Sequence, residues 1–143
     1  MNIPDALQSG LQAGMAYRHL KGRTENGVLV ITLTIPQLLD DVVEEGLLQE
    51  LLLVTTASEA GNVIVDLQQV KAASTAALKP LLGLHESIKQ RSGRLLVCGL
   101  SPMVAEVFHL AELIRTEDKA PGPFEAAPDV DTALKLLARS PRA

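Results

Sequence analysis

Aromatic side chains are almost missing from this sequence. It has no tryptophan, a single tyrosine (Tyr17) and two phenylalanines (Phe108 and Phe124), so aromatics make up 2% of its 143 residues. A core must then be built from Leu, Val, Ile and Ala. The shortage also argues against recognition of single-stranded nucleic acid, which relies on exposed stacking platforms. Cysteine is nearly absent too. Cys98 stands alone, so no intramolecular disulfide can form and a cysteine-based zinc site is disfavoured. An excess of basic charge is lacking: 13 Lys and Arg stand against 17 Asp and Glu, a formal net charge of −4. A mildly acidic chain has no electrostatic footprint for a phosphate backbone or an anionic lipid surface, so neither nucleic acid nor membrane is an expected partner. The apolar stretches are all far shorter than the roughly 20 residues needed to cross a bilayer. Met1-Asn2-Ile3-Pro4-Asp5 offers neither a basic n-region nor an apolar h-region, so the expected location is the cytoplasm.

What is present is an ordinary globular balance, 47% hydrophobic and 21% charged, in a length that suits one domain. Residues 1–14 are polar, without a strong period, and read as a loose tail or short helix. Met15–Lys21 reads as a first edge strand and Gly22–Gly27 as a hairpin turn, because Asn26-Gly27 separates two apolar runs. Val28–Thr34 follows as a second strand, rich in β-branched types. From Gln37 to about Ala57 the period becomes helical. Leu38, Val42, Leu47, Leu51 and Val54 make an apolar stripe, and Asp40, Asp41, Glu44, Glu45 and Glu50 fill the opposite, solvated face.

Val63–Leu67 reads as a buried central strand. A second helix is expected over about Thr75–Gln90, and Arg94–Leu100 as another core strand. Ser101-Pro102 makes a good helix start, with Ser as cap and Pro at the first helical position. That third helix turns Val104, Val107, Phe108, Ala111 and Leu113 inward. A loop follows at Ala120–Pro123, then a short strand at Phe124–Ala126, a last helix over Asp129–Ala138 and a frayed end at Arg139–Ala143. Strands that alternate with helices imply crossovers and a parallel or mixed sheet, hence an α/β domain.

Enzyme constellations are missing. There is no glycine-rich phosphate loop, no nucleophile elbow and no His-Glu-x-x-His motif. His19, His85 and His109 are scattered, without acid or cysteine partners at ligand spacing, and read as surface or boundary residues. Cys98, inside the run Leu95-Leu96-Val97, reads as a small hydrophobe. No catalytic residue, metal or cofactor is expected.

One segment carries a resemblance. Val63-Ile64-Val65-Asp66-Leu67-Gln68-Gln69-Val70, followed by Ser74-Thr75-Ala76-Ala77-Leu78, resembles the signature of the STAS (anti-sigma-factor-antagonist) family, a buried strand ending in Asp-Leu and then a helix opening with Asp-Ser-Ser/Thr-Gly-Leu. Ser92 to Pro102, with its Cys98-Gly99-Leu100-Ser101-Pro102 stretch, continues the likeness, which runs from about residue 15 to 138. It implies a single small STAS-like domain, over 15–138, with a four- to five-stranded mixed sheet and about four helices.

The resemblance also implies a protein-binding module in a partner-switching regulatory pathway, not an enzyme. Its partner would be an anti-sigma factor that is itself a serine/threonine kinase of histidine-kinase-like fold, with a cognate phosphatase and self-association as further possibilities. The family acid falls on Ser74, the phospho-acceptor on Thr75, and the family glycine on Ala77. Ser74 and Thr75 are the candidate acceptors, and Ala76, Ala77, Leu78, Ser101, Pro102 and Met103 the candidate partner-binding residues. A hydroxyl at a helix N-terminus suits a switch, because free N–H groups tolerate a phosphate there and its charge of about −1.5 to −2 repels a docked partner.

Three departures stand out: Ser74 for the acid, Ala77 for the glycine, and Pro80 where the family helix is already running. Pro80 requires either a helix that begins near Ala76–Lys79 or a kinked start. These departures favour one alternative, a STAS scaffold or sensor subunit that is never phosphorylated; the resemblance leaves another open, a STAS domain binding a small ligand or nucleotide, which no phosphate-cradling glycines support.

Overall fold

The computed structural model describes residues 15–111 and 124–139. The chain forms strands β1 (Met15–Ala16), β2 (Leu20–Glu25), β3 (Val28–Leu33) and β4 (Gln37–Leu38), then helices α1 (Asp40–Glu44) and α2 (Leu47–Ser58). Strands β5 (Val63–Asp66) and β6 (Ala72–Ala73) come next, followed by a 3-10 turn (Ala76–Leu78) and helix α3 (Lys79–Gln90). Strand β7 (Leu95–Cys98), helix α4 (Pro102–Leu110), strand β8 (Glu125–Ala127) and helix α5 (Val130–Arg139) complete it. The main sheet runs β1-β2-β3-β5-β7-β8, and β4 pairs with β6 in a small sheet of its own. Pairings β1–β2 and β2–β3 are antiparallel, and β3–β5, β5–β7 and β7–β8 are parallel. The result is the expected mixed α/β sheet, five strands extended by the two-residue β1.

The period-2 pattern of the central strands sorts their side chains onto two faces. Leu29, Ile31, Leu33, Val63, Val65, Leu95 and Val97 join the larger core with Leu38 of β4 and Leu47, Leu51, Val54, Leu81, Leu84, Val104 and Phe108 of the helical layer. Val28, Val30, Ile64, Leu96 and Cys98 point the other way, beneath Ala133, Leu134 and Leu137 of α5. Every residue of β3, β5 and β7 is buried, which is why their sequences are continuous apolar runs rather than alternating ones. The two phenylalanines meet beside β8, where Phe124 lies edge-on to Phe108 at 6.0 Å and to His85 at 5.7 Å.

Several expected boundaries move. The first strand divides: β1 is two residues long, Tyr17 N–H donates to Leu20 carbonyl at 2.8 Å across a tight turn, and β2 runs on through Gly22 to Glu25. The hairpin turn is therefore Asn26-Gly27 alone, with Glu25 facing Val28 in register. The single helix expected over Gln37–Ala57 divides as well. Its first residues pair as β4 with β6, and Gly46, at φ +103, interrupts the helical path between α1 and α2. The stripe survives because Leu38, Val42, Leu47, Leu51 and Val54 still reach one core. β7 is shorter than the expected Arg94–Leu100, and the last strand is shifted one residue, to Glu125–Ala127. Leu113, the tail over 1–14, the segment 112–123 and the end beyond 139 lie outside the described residues.

Candidate functional site

The parallel strands β3, β5 and β7 deliver their following loops to the same end of the sheet, so 34–40, 67–78 and 99–103 gather there. Ser74 joins this cluster through its backbone: its N–H donates to the Leu38 carbonyl at 3.1 Å, extending the β4–β6 pairing. Its hydroxyl is committed twice. Ser74 Oγ accepts from Ala77 N–H at 3.2 Å, capping the 3-10 turn, and donates to Asp40 Oδ1 at 3.3 Å, at the start of α1. Thr75 differs. It begins the turn in helical conformation (φ −62°, ψ −38°), makes no side-chain cap bond, and is exposed.

Of the residues expected to meet a partner, Ala76, Pro102 and Met103 are exposed, Met103 with 60% of its surface free, and Ser101 is half-buried. Ala77 and Leu78 correct that expectation. Both have no exposed surface and belong to the larger core, since the turn points them at the sheet. Ala77 thus stands where the family glycine falls with its methyl group already accommodated. Pro80 also finds its place. The 3-10 turn precedes it, and α3 starts at Lys79, so Pro80 sits in the first helical turn, where a missing N–H breaks no intrahelical bond. Ser101 is the cap expected of it, its Oγ accepting from Val104 N–H at 3.3 Å with Pro102 at the helix start. Helix α4 packs against β6, which brings its start to the same side of the molecule as the turn.

A model of the STAS domain family matches residues 20–133, well over half of the chain. The chain belongs to the STAS family. Among solved structures, an anti-sigma factor antagonist from Mycobacterium paratuberculosis is similar at TM-score 0.67 and 24% identity, over 83% of this chain and 92% of that one. A STAS domain protein from Planctomyces limnophilus, also described as an anti-sigma-factor antagonist, matches at TM-score 0.70 and 20% identity, over 83% and 97% of the two chains. The Bacillus cell fate determinant SpoIIAA, in its phosphorylated form, matches at TM-score 0.55 and 17% identity, over 82% and 98%. At these identities the likeness is one of fold.

Two groups whose partners are distant in sequence were not among the sequence candidates. Asp40 reads in the sequence as one acid on a solvated helix face, yet it meets Ser74 across 34 positions. His19, expected at the surface or boundary without acid partners, is buried, 3% exposed, between Glu45 and Glu50. The partners are 26 and 31 residues away in sequence, and spacing rules look only at near neighbours. His109 is exposed and His85 half-buried against Phe124. Cys98 is fully buried and its thiol is pushed up to about 12, chiefly by burial and then by the charges of Asp66 and Asp129, as suits a core residue. Among the described residues no group of three or more His, Cys, Asp and Glu is arranged to hold a metal ion, and no helix is long and apolar enough to cross a membrane.

Proposed function

We propose that this STAS domain is an anti-sigma-factor-antagonist-like binding module of the cytoplasm, which captures a kinase-type anti-sigma factor and releases it when Thr75 is phosphorylated. The single observation that carries the choice of acceptor is the contrast between the two hydroxyls. Ser74 is bound as cap and as donor to Asp40, and a phosphate there would lose the donor bond and sit against a carboxylate. The Thr75 side chain is exposed and free of the cap. A phosphate of charge about −1.5 to −2 on Thr75 lies at the opening of the turn, beside exposed Ala76, and repels an apolar or acidic surface docked there without refolding the domain. The binding face in this reading is Thr75, Ala76, Pro102 and Met103, with Ser101 setting the start of α4. The antagonist relatives support the reading at the level of the fold, and the existence of a phosphorylated SpoIIAA supports its chemistry.

The test is incubation with ATP and candidate anti-sigma factors of histidine-kinase-like fold, followed by mass spectrometry and a binding measurement. Phosphate is expected on Thr75, with binding retained in Thr75→Ala and lost by at least tenfold in Thr75→Glu. A complex that forms equally well with Thr75→Glu overturns the switch. The departures at Ser74 and Ala77 from the family motif favour, as the second reading, a scaffold subunit that is not phosphorylated; discrete high-mass assemblies of the isolated protein would select it.

A further inference from the structure

The His19 cluster, away from the STAS turn, is a buried titratable group that binding at Thr75 does not use. His19 immediately precedes β2 and its ring is held from both sides. Nδ1 lies 2.9 Å from Glu50 Oε2 on α2, and Nε2 lies 2.9 Å from Glu45 Oε1 at the end of α1. The His19 backbone N–H also donates to Glu50 Oε1 at 2.9 Å. Arg18, the next residue in the chain, places Nη2 3.6 Å from Glu45 Oε2. The charged groups that face the ring among the described residues are therefore Glu50 from α2 and Glu45 from the α1 end, with Arg18 acting on Glu45.

A neutral imidazole has one N–H and one lone pair. In either tautomer the lone pair would point at a carboxylate oxygen 2.9 Å away, where two acceptors repel. Only a ring with both nitrogens protonated donates to both carboxylates, in two charge-assisted bonds. The charges then balance around the buried ring, imidazolium and guanidinium against two carboxylates. The two arms are unequal. Glu50 is 14% exposed in its side chain and accepts both the ring and the backbone N–H, whereas Glu45 is 40% exposed and is held by the ring and the more distant Arg18. Loss of one proton would leave Nδ1–H on Glu50 and turn a lone pair toward Glu45.

We propose that His19 is a proton-operated latch on helix α1: doubly protonated, it ties the α1 end to β2, and on losing a proton it releases Glu45. The Glu45 carboxyl lies below its ordinary value first because it accepts the His19 hydrogen bond, so the latch holds Glu45 ionised while the ring is charged. α1 is five residues long, without a side-chain cap of its own, and its first residue Asp40 touches Ser74. Release therefore loosens the strut that flanks the STAS turn. This inference stands whether or not Thr75 is phosphorylated.

The test uses the full chain and NMR, reading the ring nitrogen shifts of His19 and the hydrogen exchange of the Glu45 and Gly46 amides, which donate to Asp41 and Val43 carbonyls at 3.0 and 3.1 Å. The core amide of Ile31 serves as the internal standard. The pH is taken from about 5.5 to about 8.5. Expected are a ring with two protonated nitrogens at the acid end, and protection of Glu45 and Gly46 relative to Ile31 that falls about tenfold on going to the alkaline end. In His19→Gln that ratio is expected to stay constant across the range. In Glu45→Gln, at a half-exposed position that does not threaten folding, it is also expected to be constant, because an amide can meet the ring as acceptor or donor. A single-N–H ring at about pH 5.5, a constant ratio in the unaltered protein, or the same tenfold step in Glu45→Gln would each overturn the latch.

Discussion

Gly93 shows how little room one position can have. A Cβ built there would fall 1.8 Å from the carbonyl oxygen of Gly61 and 3.0 Å from Ile88 Cγ2. The obstacle is backbone, which cannot swing aside like a side chain. The loop before β5 and the loop before β7 are pinned together at this point by Arg94 N–H donating to Asn62 Oδ1 at 2.9 Å and Val63 N–H donating to the Arg94 carbonyl at 2.9 Å. Gly93→Ala is expected to destabilise by about 1–3 kcal/mol, the range for overpacking a filled site. Gly61→Ala, whose Cβ would meet nothing within 4 Å, is expected to stay within about 0.5 kcal/mol of the parent. Urea unfolding of the two variants checks the pair, and equal losses would show that the contact yields. At this scale the cap Ser101 was legible in the sequence, because capping is a local act between near neighbours. Asp40 and His19 were not, because their partners come from elements brought together only by the fold.

Elements were legible where one period and one boundary residue agreed. Ser101-Pro102 is the clearest case: the cap, the proline and the apolar positions Val104 and Phe108 all specify α4, and its start was read without error. Ser101→Ala is expected to cost about 1 kcal/mol, and Ser101→Gly only a few tenths, the ordinary difference for a lost N-cap. Denaturant midpoints distinguish the two, and equal losses would mean that Ser101 acts by something other than its cap bond. The helix over Gln37–Ala57 was read less well. Its apolar stripe is real, but the period cannot see that Gln37-Leu38 finds a strand partner in Ala72-Ala73, nor that Gly46 takes φ +103. Both are tertiary outcomes that override a local preference. The first strand was misplaced for a related reason, since Gly22 reads as a turn residue but lies within β2, where its missing side chain leaves space for Val54 Cγ2, 2.7 Å from where a Cβ would stand. That close approach of helix to strand is written in the three-dimensional packing and nowhere in the neighbours of Gly22.

On the scale of the molecule, the sheet is covered unequally, and that asymmetry has a measurable consequence. One face carries most of the helical layer, whereas among the described residues the other is covered by α5 alone, through Ala133, Leu134 and Leu137. Cys98 lies under that helix with no exposed surface. Its thiol, raised to about 12 by burial first and by the nearby acids second, stays protonated in the native state at ordinary pH. The sign follows: the unfolded thiol ionises near its usual 8.5, so folding stability from this group is retained below that pH and lost as pH climbs toward 12. A thiol reagent at about pH 8 should then react only through opening of the structure. Leu134 and Leu137, 9% and 6% exposed, hold α5 down, and Leu137→Ala should weaken that hold by roughly 2–5 kcal/mol if the loss falls on a buried leucine of the usual kind. Since about 1.4 kcal/mol is a factor of ten in an opening equilibrium, labelling of Cys98 should accelerate by at least tenfold. Leu81→Ala, on the opposite face, separates two modes of opening. If α5 detaches on its own, Leu81→Ala lowers global stability yet leaves Cys98 labelling in low denaturant nearly unchanged. If both variants accelerate labelling in proportion to their global destabilisation, the thiol is reached only by unfolding the whole domain, and the two faces of the sheet form one cooperative unit.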